Sequence, residues 1–184
     1  VTGSAEQPEL SAAVEASRAL VAERFPDARQ AWLSGSFVSG YATSTSDLDI
    51  TVLMDEVEPH RESLLHRKWP VELFVHTESS VRHFVAKDLD RRRPTMARLV
   101  STGVPLVNGN GGDVLMRECA AAVAAGPRPL VGAELTLARY GLTDQLDDLA
   151  GGASAGILDA VVVEVWRSTA ELFLATATWW SGSG

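Results

Sequence analysis

The chain has 184 residues, of which 46% are hydrophobic and 22% are charged, and this composition is typical of a globular protein with one domain or a domain and a half. Its net charge of -8 disfavours a nucleic-acid partner, because a protein that binds many phosphates usually carries a basic stripe. A single cysteine, Cys119, excludes an intramolecular disulfide, and because the sequence shows no signal-peptide pattern we expect a cytoplasmic protein.

The first predicted element is a helix over residues 10–25, because its apolar residues recur on one helical stripe and Pro26 follows. A strand then begins at Ala31 and ends at the turn Gly35-Ser36. A short helix and a polar loop lead from this turn to a second strand over residues 47–54. The Gly-Ser turn and the second strand are the part of the sequence that points most clearly to a function.

The second strand carries two kinds of side chain on its two faces. Because successive strand residues point to opposite faces, Asp47, Asp49 and Thr51 share one side of the strand. The other side is apolar and consists of Leu48, Ile50, Val52 and Met54. This pattern predicts a strand that anchors in a core and presents paired carboxylates on its open face.

The next segment, residues 55–68, contains Pro59 and mixed charge, and it is interpreted as a loop followed by a short surface helix. A third alternating strand follows over residues 71–76, with Glu72, Phe74 and His76 on one face. If this strand lies beside the strand of Asp47 and Asp49, Glu72 becomes a third carboxylate on the open face.

Helices dominate the rest of the sequence. Ser79 is predicted to cap a helix to Asp90, and a helix from Pro94 to Gly103, a short strand over residues 104–107 and a turn over 108–112 follow. Three helices are predicted beyond this turn, over Asp113–Ala125, Leu130–Leu149 and Ser154–Trp180. We therefore predict an α+β fold, with a mixed β-sheet flanked by helices in residues 1–108 and a helical bundle in residues 109–184.

The last predicted helix is strongly apolar, but four charged residues interrupt it: Asp159, Glu164, Arg167 and Glu171. A membrane span needs about 20 mostly uncharged residues, so a buried bundle helix is the better interpretation and no membrane partner is expected. Few residues follow to cover its apolar face. We expect either a truncated second domain or a homodimer interface.

The clustered acids predict a metal site. Carboxylates that converge on one point repel each other unless cations neutralise them. Mg²⁺ suits Asp47 and Asp49, because it binds through one or two carboxylates together with substrate phosphates. Glu72 would complete the ligand set or act as general base, while Gly35 and Ser36 would hold the phosphates through backbone N–H groups and a hydroxyl. The simpler alternative for the acids is a solvated strand edge.

Gly35-Ser36, the ten residues Phe37 to Ser46, and Asp47-Leu48-Asp49 resemble the signature of the polymerase-beta-type nucleotidyltransferase superfamily. The resemblance extends to Glu72 and so covers roughly residues 30 to 76. It implies a nucleoside triphosphate donor, Mg²⁺, transfer of a nucleoside monophosphate to an acceptor, and release of pyrophosphate. The helical remainder is similar in layout to the second domain of bacterial antibiotic nucleotidyltransferases.

The leading hypothesis is an Mg²⁺-dependent nucleotidyltransferase that moves AMP from ATP onto a hydroxyl of a small molecule, such as an aminoglycoside, or of a protein. Two alternatives remain at this point. One is a nucleotide-binding regulatory or antitoxin-like partner module with weak or no catalysis. The other, a polymerase-like or RNA-modifying enzyme, is disfavoured by the acidic charge balance.

Overall fold

The computed structural model describes residues 6–107, 109, 112–152 and 154–182. Its helices are α1 (Glu6–Arg24), α2 (Ser36–Ser39), α3 (Glu78–Asp90), α4 (Thr95–Ser101), α5 (Gly112–Ala124), α6 (Gly132–Ala150) and α7 (Ala155–Thr176). Its strands are β1 (Gln30–Ser34), β2 (Leu48–Leu53), β3 (His60–His66), β4 (Trp69–His76) and β5 (Val104–Pro105). The predicted α+β fold, a sheet flanked by helices with further helices after it, is confirmed.

The five strands form one mixed sheet in the order β3-β4-β2-β1-β5. β2 and β4 are parallel, with Asp49 opposite Glu72 and Thr51 opposite Phe74. The other neighbouring pairs are antiparallel, and they place Ser34 opposite Asp49 and Arg61 opposite Phe74. Because opposed residues share a face, these pairs form two rows of side chains across the sheet.

The two faces of the sheet pack differently. On one face, apolar residues of β1, β2 and β4 form a core with α1, and Leu20, Ile50 and Leu73 are examples of its fully buried side chains. On the other face, Trp32 and Leu53 pack with residues of α3, α4 and α5. This second face is the one that carries Asp49 and Glu72. The alternation of side chains along β2 and β4 therefore positions the acids as the sequence predicts.

Residues 55–68 differ from the prediction of a loop and a short surface helix. The structure forms strand β3 here, and its residues 60–66 pair with β4 across a two-residue turn at Arg67-Lys68. β3 is an edge strand whose side chains are exposed or half-buried, so it lacks the apolar alternation that marks an inner strand. The cap of α3 also differs, because Thr77 and not Ser79 is the N-cap residue. The side chain of Thr77 accepts a hydrogen bond from the N–H of Ser80, and the hydroxyl of Ser80 accepts one from the N–H of Thr77.

The chain divides into two compact units, one up to Ala125 and one from Gly126. Helix α5 lies in the first unit because it packs against α4 and buries Leu115 and Cys119. The boundary that the sequence predicts near residue 109 leaves this helix in the second region. The predicted division of labour, with a catalytic region in residues 1–108 and a substrate or partner region in residues 109–184, stays a prediction, and the turn over 108–112 falls largely outside the described residues.

The second unit contains α6 and α7, which pack against each other. Large apolar side chains are exposed on both helices, among them Leu137 (71% exposed), Trp166 (74%) and Phe173 (61%). Within the described residues, no helix combines the length and apolarity needed to cross a membrane.

Candidate metal and nucleotide site

Three carboxylates converge at one end of the second sheet face. Asp47 immediately precedes β2, Asp49 lies within it, and Glu72 is the residue opposite Asp49 on β4. One carboxylate oxygen from each residue lies within 4.8 Å of the others, and all three side chains are half-buried. The structure thus brings the three predicted acids together, and their part in catalysis stays a prediction.

Gly35 lies directly against this cluster. Its backbone has φ +73°, and a Cβ atom built on it would lie 1.9 Å from Oδ2 of Asp49. Any side chain at this position would therefore collide with the carboxylate, and only glycine adopts this backbone conformation without strain. The sequence suggested a tight turn at Gly35, and the structure adds that the turn leaves space for an acid.

Ser36 begins the single-turn helix α2, directly after Gly35. The backbone carbonyl of Ser36 accepts hydrogen bonds from the N–H groups of Gly40 and Tyr41, so the turn closes on itself. Phe37 is buried and its ring meets that of Trp69 edge to face, with centroids 5.5 Å apart. These contacts fix the backbone that carries Gly35 and Ser36 relative to the core.

The acids perturb one another. Burial, followed by the negative charges of Asp47 and Glu72, raises the pKa of Asp49 from 3.8 to about 6, and the charge of Arg61 acts in the opposite direction. A cation bound beside Asp49 would stabilise its ionised form, because the cation offsets the negative charges of the neighbouring carboxylates. The cluster is therefore a set of oxygen ligands that could hold a metal ion.

Arg61 is a residue near the site that the sequence analysis missed. It lies on β3, forms an ion pair with Glu72, and places its guanidinium 5.4 Å from the centroid of the Phe74 ring. Its side chain is 64% exposed, whereas that of Glu72 is 14% exposed. Because residues 55–68 were interpreted as a loop and a helix, no strand register was available to place Arg61 beside Glu72.

His76, which the sequence placed on the same face as Glu72, is buried at the far end of β4. Its Nδ1 lies 3.0 Å from Oγ of Ser80, and its ring meets Phe84 edge to face. Burial, with a smaller contribution from His60, lowers the pKa of His76. These contacts hold the His76 ring in the packing between β4 and α3.

Comparison with known proteins supports the sequence resemblance. Residues 15–90 match the model of the nucleotidyltransferase domain family. This range includes Gly35, Ser36, Asp47, Asp49 and Glu72, so the predicted resemblance is confirmed for this part of the chain. The match indicates nucleotidyl transfer as the general chemistry of the domain. No curated protein matches the chain.

Among solved structures, the chain is similar to a nucleotidyltransferase-like protein from Exiguobacterium sibiricum 255-15, with 17% sequence identity and a TM-score of 0.45. The alignment covers 89% of this chain and 57% of that structure, so the chain spans little more than half the length of the protein it matches.

Proposed function

We propose that the chain is an Mg²⁺-dependent nucleotidyltransferase, which transfers AMP from ATP to a hydroxyl group of a small molecule, such as an aminoglycoside, or of a protein. The observation that carries this proposal is the convergence of Asp47, Asp49 and Glu72 beside the backbone of Gly35. The family match over residues 15–90 supports the same chemistry.

The residues at this site fit a magnesium ion. They supply three carboxylates, which are the hard oxygen ligands that Mg²⁺ prefers. Burial, followed by the charges of Asp47 and Glu72, raises the pKa of Asp49, so a cation beside it would favour its ionised form. Asp47 and Asp49 would hold the ion, with Glu72 either as a further ligand or as the general base. When bound, Mg²⁺ supplies positive charge that stabilises the phosphate oxygens of the donor during transfer.

The order of the strands across the sheet suggests which residues bind the donor ATP and which bind the acceptor. Gly35 follows β1, and we assign the turn at Gly35 and Ser36 to the phosphates of ATP, because backbone N–H groups and a hydroxyl are anion-binding groups. Glu72 lies on β4, on the other side of Asp49, and we assign it to the acceptor. In this arrangement Asp47 and Asp49 lie between the two substrates.

In the reaction, the acceptor oxygen forms a bond to the α-phosphorus of ATP, and the bond from this phosphorus to the bridging oxygen of the β-phosphate breaks. Pyrophosphate leaves with that bonding electron pair. The hydroxyl proton passes to a nearby carboxylate, for which Glu72 is the residue placed on the acceptor side. Orientation of the two substrates by fixed groups supplies much of the rate enhancement expected of such a site.

The test is pyrophosphate release from ATP with Mg²⁺ and a panel of hydroxyl acceptors that includes an aminoglycoside. We expect the wild-type protein to release pyrophosphate with at least one acceptor, and Asp49→Asn to abolish release with an unchanged circular dichroism spectrum. Glu56→Gln, at an exposed acid, is the matched control and should behave as wild type. Retained turnover in Asp49→Asn would show that the acids are not the catalytic site.

A second candidate function is a nucleotide-binding regulatory or antitoxin-like partner module with weak or no catalysis, and a homodimer is one such partnership. The exposed apolar side chains of Leu137, Trp166 and Phe173 favour a protein partner for the second unit. Light scattering, together with the turnover assay, separates the two functions. A strictly monomeric protein with robust turnover on a small acceptor would contradict the partner-module function.

Two finer assignments accompany the proposal. We place the protein in the cytoplasm, since this compartment supplies ATP and keeps a free thiol such as that of Cys119 reduced. We propose residues 109–184 as the region for a partner, since large apolar side chains of α6 and α7 are exposed there.

A further inference from the structure

A cavity of about 400 Å³ lies on the face of the sheet that carries the acids. Phe74 and His76 line it, and these residues follow Glu72 at two-residue intervals on the same face of β4. Arg61, which contacts Glu72, also lines it. The cavity therefore begins where the acidic cluster ends, on the side away from Gly35.

The walls of this cavity are largely apolar and aromatic. Phe74 and Phe84 contribute rings, and Met96 and Leu99 of α4 contribute buried aliphatic surface. Polar side chains at the lining include those of His76 and Thr95. A volume of this size, lined by apolar groups with a few polar ones, is typical of a small-molecule site.

The charged groups at the cavity are mostly basic. Arg61 and Arg91 line it together with the exposed His60. The acid that lines it, Asp88, is already engaged: its carboxylate pairs with Arg91 and accepts a 2.9 Å hydrogen bond from the backbone N–H of Met96. Arg61 is the guanidinium nearest the acids, and a cation bound among them competes with it for Glu72. The charge of Arg61 then becomes available to a ligand in the cavity.

The larger cleft in this unit, of about 570 Å³, is less suited to the acceptor. It is lined by Phe37 and Trp69, which pack against the core formed with α1. That core lies on the face of the sheet opposite to Asp49 and Glu72. The cleft is also lined by Ser46, next to Asp47, so it adjoins the groups assigned to the donor instead of the cavity lined by Arg61 and Phe74.

We propose that the cavity at Phe74 and Arg61 binds the acceptor, and that this acceptor is not a cationic aminoglycoside but a small hydroxyl compound with a planar apolar body and a negatively charged group. The proposal rests on the transferase function proposed above. The planar body packs between the phenylalanine rings, the anion contacts Arg61 at the rim, and the hydroxyl reaches Glu72. In the reaction this hydroxyl loses its proton to Glu72 and its oxygen bonds to the α-phosphorus as pyrophosphate leaves.

The test uses two probes of similar size and opposite charge, 4-hydroxyphenylacetate and tyramine. Their binding is measured by ligand-observed NMR in the presence of Mg²⁺ and α,β-methylene-ATP, which keeps the donor site filled without reaction. We expect the anionic probe to bind about tenfold more tightly than the cationic one. Equal binding of the two probes, or tighter binding of tyramine, would overturn the proposed acceptor class.

Two substitutions locate the binding. Thr95 is exposed at the cavity rim, and Thr95→Trp should fill the cavity and remove binding of 4-hydroxyphenylacetate. Thr102→Trp, at an exposed residue just after α4 and outside the cavity lining, is the matched control and should bind as wild type. Arg61→Met keeps a long side chain over Phe74 without its charge and should bring the two probes to similar affinity. Unchanged probe binding in Thr95→Trp and in Arg61→Met would place the probe elsewhere and overturn the proposal.

Binding of Mg²⁺ with α,β-methylene-ATP alone separates this proposal from the one on which it rests. Wild type and Thr95→Trp should bind the nucleotide equally, since Thr95 is not part of the donor site. If both bind the nucleotide and neither binds 4-hydroxyphenylacetate, the acceptor proposal fails and the transferase proposal stands. If neither binds the nucleotide, the transferase proposal fails and the acceptor proposal fails with it.

Discussion

Gly35 and Asp49 lie so close together that residue 35 has no room for a side chain. A Cβ at Gly35 would lie 1.9 Å from Oδ2 of Asp49 and 2.8 Å from its Cγ, well inside van der Waals contact. The two residues lie on neighbouring segments, because β1 and β2 pair with Ser34 opposite Asp49. The strand pairing thus places the Gly-Ser turn directly at the acids.

This relationship predicts the effect of Gly35→Ala. The new methyl group would displace the Asp49 carboxylate, and a displacement of about 1 Å in such a site lowers turnover by about 100-fold. The control is Gly40→Ala, because Gly40 has a similar φ of +78° but nothing within 4 Å of its Cβ position. The left-handed backbone at Gly40 costs an alanine about 1–2 kcal/mol. Gly35, with ψ -149°, lies in a region that is essentially restricted to glycine, where the cost is about 1–3 kcal/mol. Pyrophosphate release is therefore compared at equal folded fraction. Equal activity of the two variants would contradict the predicted contact.

The burial of Asp49, together with the charges of Asp47 and Glu72, predicts a pH-dependent stability. Asp49 titrates at about 6 in the folded protein against an ordinary value of 3.8, so its ionised form is disfavoured by folding. This penalty is fully present above pH 6 and is absent below about pH 4. With chelator at pH 8, Asp49→Asn should therefore be more stable than wild type by about 1–2 kcal/mol, after allowance for solvent screening.

Urea unfolding at pH 8 and pH 4 measures this difference, with Glu56→Gln as the control acid. The difference between Asp49→Asn and wild type should vanish at pH 4, and added Mg²⁺ should stabilise wild type but not the variant at pH 8. A variant that is less stable than wild type at pH 8 in chelator would contradict the raised pKa of Asp49.

The burial of Cys119, the single cysteine of the sequence, predicts that its thiol reacts slowly. Burial, assisted by the charge of Glu118, raises the pKa of Cys119 from 9.0 to about 11, and Arg82 opposes this shift. Two units correspond to about a 100-fold smaller thiolate fraction, so iodoacetamide should alkylate the native protein at pH 8 at least about 100-fold more slowly than the urea-unfolded chain. Mass spectrometry of timed samples measures both rates. Equal rates would show that α5 does not pack as described.

The sequence allowed the acid-bearing face to be predicted because strand geometry is local. Alternation along residues 47–54 and 71–76 places the acids on one side of each strand, whatever the neighbouring strands are. The pairing of Asp49 with Glu72 was only conditional, since register depends on tertiary contacts, and the structure confirms it.

Strand β3 and Arg61 could not be predicted in the same way. The hairpin that joins β3 to β4 turns at Arg67-Lys68, with Arg67 at φ +56°, instead of at the Asn-Gly or Asp-Gly pair that marks such turns in a sequence. Since β3 is a half-exposed edge strand, its charged residues resemble those of a surface loop. The cavity beside Arg61 depends on this strand and on α4, so it too was outside the reach of the sequence pattern.

Calorimetric titration of the protein with α,β-methylene-ATP, with and without Mg²⁺, tests most directly whether the three acids and the Gly35 turn form a metal-dependent nucleotide site. Wild type and Glu56→Gln should bind the nucleotide only when Mg²⁺ is present, and Asp49→Asn should lose this binding while remaining folded. Nucleotide binding that is independent of Mg²⁺, or that is unchanged in Asp49→Asn, would contradict the proposed site.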